Sequence, residues 1–155
     1  MAADRIEREI LIDAPPAVVW NLLTDPAQVA QWWSSEAEFE ARPGAEGRLI
    51  LTSRRTSESM EILIRVVRVE PEHRFAFRWD YPAGSEPEPG TAPLVEFTLV
   101  PEGAGTRLFL VESGIDSLAR PDADRDAYYT SHNAGWDIHL GHLRQFAEHG
   151  ISPTP

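Results

Sequence analysis

The chain has 155 residues, 42% of them hydrophobic and 25% charged, which is the size and balance of one folded domain rather than a disordered chain. Its net charge of −11 disfavours nucleic acid and anionic membranes as partners. It has no cysteine, and all fourteen basic residues other than histidine are arginine, so thiolate, disulfide and lysine Schiff-base chemistry are excluded.

The N-terminal "MAADRIEREI" is charged where a signal peptide needs an apolar core, and no apolar run is long enough to span a bilayer. A cytoplasmic protein without membrane contact is the expectation. "REILIDAPP" reads as a short strand with Ile10 and Ile12 on one side, stopped by Asp13-Ala14-Pro15-Pro16. "PAVVWNLLT" then predicts a short helix, since proline is tolerated in a first turn and Val19, Leu22 and Leu23 share a face. "TDPAQVAQWW" predicts a second, with Thr24 or Asp25 as cap and Val29, Trp32 and Trp33 closing it.

From Ala37 the hydrophobic period becomes two. "EAEFEARPG" and "GRLILTSR" predict strands around Pro43-Gly44, and "SMEILIRVVRVEPE" a longer one. "HRFAFRWDY" places Phe75, Phe77 and Trp79 on one face and Ala76, Arg78 and Asp80 on the outer one. "APLVEFTLVPEGAGTRLFLVESG" predicts two strands: Val95, Phe97 and Leu99 share a face, as do Leu108, Leu110 and Glu112. The proline-rich acidic "PAGSEPEPGTAP" between the hairpins predicts a loop. After "IDSLARPDAD" a helical period runs to about His149. Stepping 100° per residue, Tyr129, Leu140, Leu143 and Ala147 fall within about 40° of Trp136 and form its core stripe. Gly135 and Gly141 in this helix predict close approach to the sheet. The fold class is α+β: a curved antiparallel sheet wrapped around a long C-terminal helix, with two short helices after the first strand.

The motifs "IDAPPAVVWNLLTDPAQVAQWW", "RVEPEHRFAFRW", "GAGTRLFLVESGID" and "NAGWDIHLGHLRQF" cover nearly the whole chain. In this order they resemble the helix-grip fold of the START-like (SRPBCC) superfamily. More narrowly, the chain is similar to bacterial proteins related to the C-terminal domain of the heat-shock-protein-90 ATPase activator. The resemblance implies one helix-grip domain over residues 1–150, followed by a flexible tail at 151–155. It also implies an internal cavity between sheet and helix. Superfamily members include ligand carriers, polyketide cyclases and cochaperone domains.

On that picture Phe75, Phe77, Trp79, Val95, Phe97, Leu99, Leu108 and Leu110 are candidate cavity walls. Trp32, Trp33, Tyr129, Trp136 and Leu140 are candidates for its mouth or roof. Each also reads as ordinary core. His132 and His139, about 40° and 60° from Trp136 on the helix, are candidate polar cavity groups, whereas His142 and His149 fall towards solvent. His139 and His142 could share a metal, but neither cysteine nor an HExxH pattern adds a third ligand, and no metal or cofactor is expected. Glu112 either points inward at the end of an apolar row or has reached solvent at a strand end; inward, it is the best candidate for a polar ligand contact or a general base. No GxSxG elbow, phosphate loop or dinucleotide fingerprint is present. The expected function is binding of a small, largely hydrophobic molecule. The alternatives are a protein-interaction module, with a homodimer or a chaperone as partner, and an acid-base cyclase or hydrolase using Glu112 and the inner histidines.

Overall fold

The computed structural model describes residues 4–33, 36–52 and 56–150. The expected tail, 151–155, and the end of the strand read as "GRLILTSR" (Ser53, Arg54) lie outside the described residues. Strand β1 (Ile6–Ile12) leads to helices α1 (Pro16–Thr24) and α2 (Pro26–Trp32). Six strands follow: β2 (Glu36–Glu38), β3 (Glu46–Thr52), β4 (Ser59–Glu70), β5 (Arg74–Trp79), β6 (Leu94–Glu102) and β7 (Gly105–Ser113). Helix α3 (Asp122–His149) ends the fold. All strands join one antiparallel sheet in the order β1-β7-β6-β5-β4-β3-β2. This is the expected helix-grip arrangement.

Local chemistry sets the element ends. Asp25 caps α2 through its side chain, accepting from the Ala27 amide at 3.0 Å, and Pro26 occupies the first turn. Gly150 ends α3 in the left-handed conformation (φ 64°), its amide bonded to the Phe146 carbonyl at 2.7 Å. Gly47 permits the close β2–β3 pairing: a Cβ there would lie 2.1 Å from the Glu38 carbonyl oxygen. In β4 the register shifts between Val66 and Arg68, leaving Val67 exposed while Ile62, Ile64 and Val66 stay buried. Such a bulge bends its strand and so helps the sheet curve around the helix.

The inner face is apolar row by row. Strand register aligns Ile6, Glu112, Val95, Phe77 and Val66 across five strands, and all five are buried. One acid thus interrupts a hydrocarbon row. The next row begins with Arg8 on edge strand β1, whose guanidinium reaches α3: it donates to Asp137 at 2.7 Å and to the Asn133 backbone and side-chain oxygens at 2.8 Å each. Near the C-terminal end of α3, Glu148 accepts from the Asp13 amide at 2.8 Å. These two links fix the helix across the sheet. Trp136, 1% exposed, anchors its buried face together with Leu140 and Leu143. Tyr129 and Ala147 of the expected stripe are half-buried against the core.

Two expectations about α3 fail. A Cβ on Gly141 would meet nothing within 4 Å, and one on Gly135 would make only an ordinary contact with His139 at 3.6 Å, so neither glycine is demanded by approach to the sheet. His142, expected towards solvent, is half-buried; His149 is exposed. No helix among the described residues is long and apolar enough to cross a membrane.

Candidate functional site

Glu112 is fully buried, the inward one of its two possible orientations. Its carboxylate accepts from four side chains. Oε2 receives the Trp79 indole N–H at 2.8 Å and the Tyr128 hydroxyl at 2.6 Å; Oε1 receives the Trp136 indole N–H at 2.8 Å and faces His132 Nδ1 at 3.1 Å. Burial by itself would raise the carboxyl pKa. Hydrogen bonding and the charge of His132, followed by the Tyr128 and Trp136 bonds, outweigh it and hold the group below the usual carboxylate value. An ionised carboxylate has about four acceptor positions, and all are used. On the other side of the contact, burial and the neighbouring carboxylate drive the Tyr128 hydroxyl far above its ordinary value, so it stays a donor.

Sharing Trp79, His132 and Trp136 with this cluster, a cleft of about 190 Å³ lies at the sheet–helix junction, lined also by Leu51, Met60, Ile62, Asp80, Ser131, Gly135 and His139. Trp79 and Trp136 pack at 5.7 Å between ring centres, and His132 stands edge-on to Trp79 at 5.4 Å. His139 packs edge-on to Trp136 at 5.8 Å. Burial, then the neighbouring His142 and His132, lowers its pKa from 6.5 to about 4, so at neutral pH it lines the cleft as an uncharged imidazole. Asp80 is pushed up, first by burial, against the opposing pull of Arg120.

Trp33 separates the cleft from a second opening. Its ring lies 5.4–5.9 Å from Trp79, Trp136 and His139 on the cleft side. It also lines, with Phe39, Phe75 and Phe77, an apolar crevice of about 10 Å³, room for roughly one water. Among the described residues its buried indole N–H has no hydrogen-bond partner.

Among the described residues, the space between sheet and helix is largely occupied by buried side chains, which leave the cleft and the crevice. Trp79, His132, Trp136 and His139 reach the cleft, with Glu112 beneath it, and Trp33, Phe75 and Phe77 reach the crevice. Phe97, Leu99, Leu110 and Leu140 are buried in the packed core and line neither opening. Trp32 is 2% exposed, stacked on Trp33 and bonded through its indole to the Leu22 carbonyl at 2.7 Å. Tyr129 is half-buried against the core and lines neither opening, whereas its neighbour Tyr128 bonds Glu112. Asp80, expected on the outer face, lines the cleft because β5 ends at Trp79 and a left-handed φ of 57° at Asp80 breaks the alternation. No group of three or more metal-ligating side chains is found among the described residues.

The model of the family described as activator of Hsp90 ATPase homolog 1-like protein matches residues 13–148. The chain belongs to this family. Solved structures with the same START-like fold include a protein of Mesorhizobium loti, with 26% identity over 91% of this chain and 94% of that one, TM-score 0.70. DynU16, a protein of the dynemicin biosynthetic locus, has 26% identity over 97% of this chain but 49% of its own length, TM-score 0.71. The Aha1 dimer of Colwellia psychrerythraea shares the fold at 18% identity, over 96% of this chain and 98% of that one, TM-score 0.73. No curated protein matches the sequence. The fold of this Hsp90-activator-like family commonly serves hydrophobic-ligand binding or protein interaction.

Proposed function

We propose that this family member binds a small, largely apolar molecule in the cleft between Trp79, Trp136, Met60 and His139, without a cofactor. One observation carries the reading: the cleft is walled by Trp79, Trp136, Leu51, Met60 and Ile62, with Asp80, His132 and His139 as polar groups among them. Such a site is mostly apolar with a few fixed polar groups, as small-molecule sites generally are. At about 190 Å³ the cleft is smaller than the several hundred usual for drug-sized ligands, so the guest is compact or only partly enclosed. Glu112 supports binding better than acid-base catalysis. Both its oxygens are occupied, and a carboxylate with a lowered pKa is a weak proton acceptor.

Native mass spectrometry of freshly purified protein should reveal a co-purifying small molecule. Titration with neutral aromatic compounds should quench tryptophan fluorescence saturably, since Trp79 and Trp136 line the cleft and Trp33 packs against both. Non-saturable quenching, unchanged when Gly135→Leu fills the cleft, would overturn the reading.

Met60, 60% exposed at the rim of the cleft, favours a second reading, self-association of the kind the Colwellia dimer shows. Light scattering that gives a dimer in wild type and a monomer in Met60→Glu would establish it; a monomer in wild type would remove it.

A further inference from the structure

We propose that the occupant of the cleft is a compact aromatic molecule bearing one free hydroxyl, a phenol or enol, held by a hydrogen bond between that oxygen and Nε2 of His132. The inference rests on the cleft reading above and names its ligand class. The ionised Glu112 carboxylate can only accept, so the proton of the 3.1 Å contact sits on His132 Nδ1. The ring is held on two further sides, stacked on Tyr128 at 3.7 Å and edge-on to Trp79 at 5.4 Å. With Nδ1 committed and the ring fixed, Nε2 is the polar atom the residue offers to the cleft it lines. Among the described residues Nε2 has no hydrogen-bond partner, and the side chain is 20% exposed.

The surroundings select what approaches that atom. Trp79, Trp136, Leu51 and Ile62 favour a flat apolar body, since aromatic rings pack well edge-on or offset against one another. Two carboxylates, Asp80 in the wall and Glu112 beneath it, oppose a ligand carrying full negative charge. A neutral hydroxyl avoids this repulsion. With the ring proton on Nδ1, Nε2 accepts and the ligand hydroxyl donates. Glu112 is therefore a positioning residue, fixing the His132 tautomer and ring.

Isothermal titration calorimetry with 2-naphthol, 2-methoxynaphthalene and 2-naphthoate tests this. In wild type, 2-naphthol should bind about tenfold more tightly than its methyl ether, the scale of one good hydrogen bond, and more tightly than 2-naphthoate. His132→Asn keeps an N–H directed at Glu112 and lacks the Nε2 position, so the naphthol-to-ether ratio should fall to about one. Should that variant not fold, His132→Phe, which keeps the stack on Tyr128, takes its place. Equal affinity for naphthol and ether in wild type, or a preference that survives in the His132 variant, would overturn the hydroxyl inference and leave the cleft reading standing. No binding of either neutral probe, or binding undiminished by Gly135→Leu or by Met60→Trp at the rim, would overturn the cleft reading and this inference with it.

Discussion

Glu112 shows how far one side chain can organise its surroundings. An unpaired buried charge would be strongly destabilising, yet here four donors from two elements converge on it. Glu112→Gln puts an amide N–H against at least one indole or hydroxyl donor, and should cost about 1.5–3 kcal/mol in urea denaturation at pH 7. Because the folded pKa lies below the ordinary 4.5, the carboxylate's contribution is fully present above about pH 4.5 and is lost as pH falls through the folded value. The glutamine variant should lack that acid-side loss. His139 acts at higher pH. Its folded pKa of about 4 against 6.5 unfolded means protonation favours unfolding, so stability is full above pH 6.5 and declines down to about pH 4. Up to about 3 kcal/mol is at stake. Urea midpoints at pH 7 and pH 5 should differ in wild type, and the difference should shrink in His139→Gln. Glu112 was visible in the sequence as an acid on an apolar face; its burial was not, since a strand of ordinary alternation ends at solvent as readily as under a helix.

At the scale of elements, α3 shows both the reach and the limit of periodicity. The 3.6-residue repeat locates Trp136, Leu140 and Leu143 in the core, as found. It also favours Tyr129 over Tyr128, which lies about 80° from Trp136 on an ideal helix. The structure buries Tyr128 because Tyr128, His132 and Trp136 recur at i, i+4 and i+8, and all three bond Glu112. That spacing was present in the sequence, but nothing local announced an acid to face it. Trp136→Ala should cost about 3–5 kcal/mol, the range for deleting a large buried aromatic; a loss under about 1 kcal/mol would mean that the ring is not core. Gly141→Ala should stabilise by up to about 1 kcal/mol, since the glycine is helical and exposed with open space where a Cβ would go; a rise in thermal midpoint checks it. Asp80 and the β4 bulge mark where period-two reasoning stops: each inserts a backbone irregularity that the alternation of side chains does not encode.

For the whole molecule, the Glu112 cluster joins β5, β7 and α3 into one cooperative unit. Glu112→Gln combined with Tyr128→Phe should therefore be non-additive by about 0.5–3 kcal/mol in a double-mutant cycle, whereas Glu112→Gln with the distant exposed Gly141→Ala should add within about 0.5 kcal/mol. The sequence by itself determined the element order, the α+β class, the inner faces of β5, β6 and β7 and the family, because hydrophobic period and turn chemistry are local properties that repeat along nearly the entire chain. Only the tertiary structure decided how much of the sheet–helix space side chains occupy, that Asp80 lines the cleft left at one side, and that Tyr128 bonds Glu112. Those outcomes depend on how side-chain volumes from five strands and three helices add up across the interface, and on where residues distant in sequence meet. A pattern within one element records which way a side chain points and leaves open what it finds there.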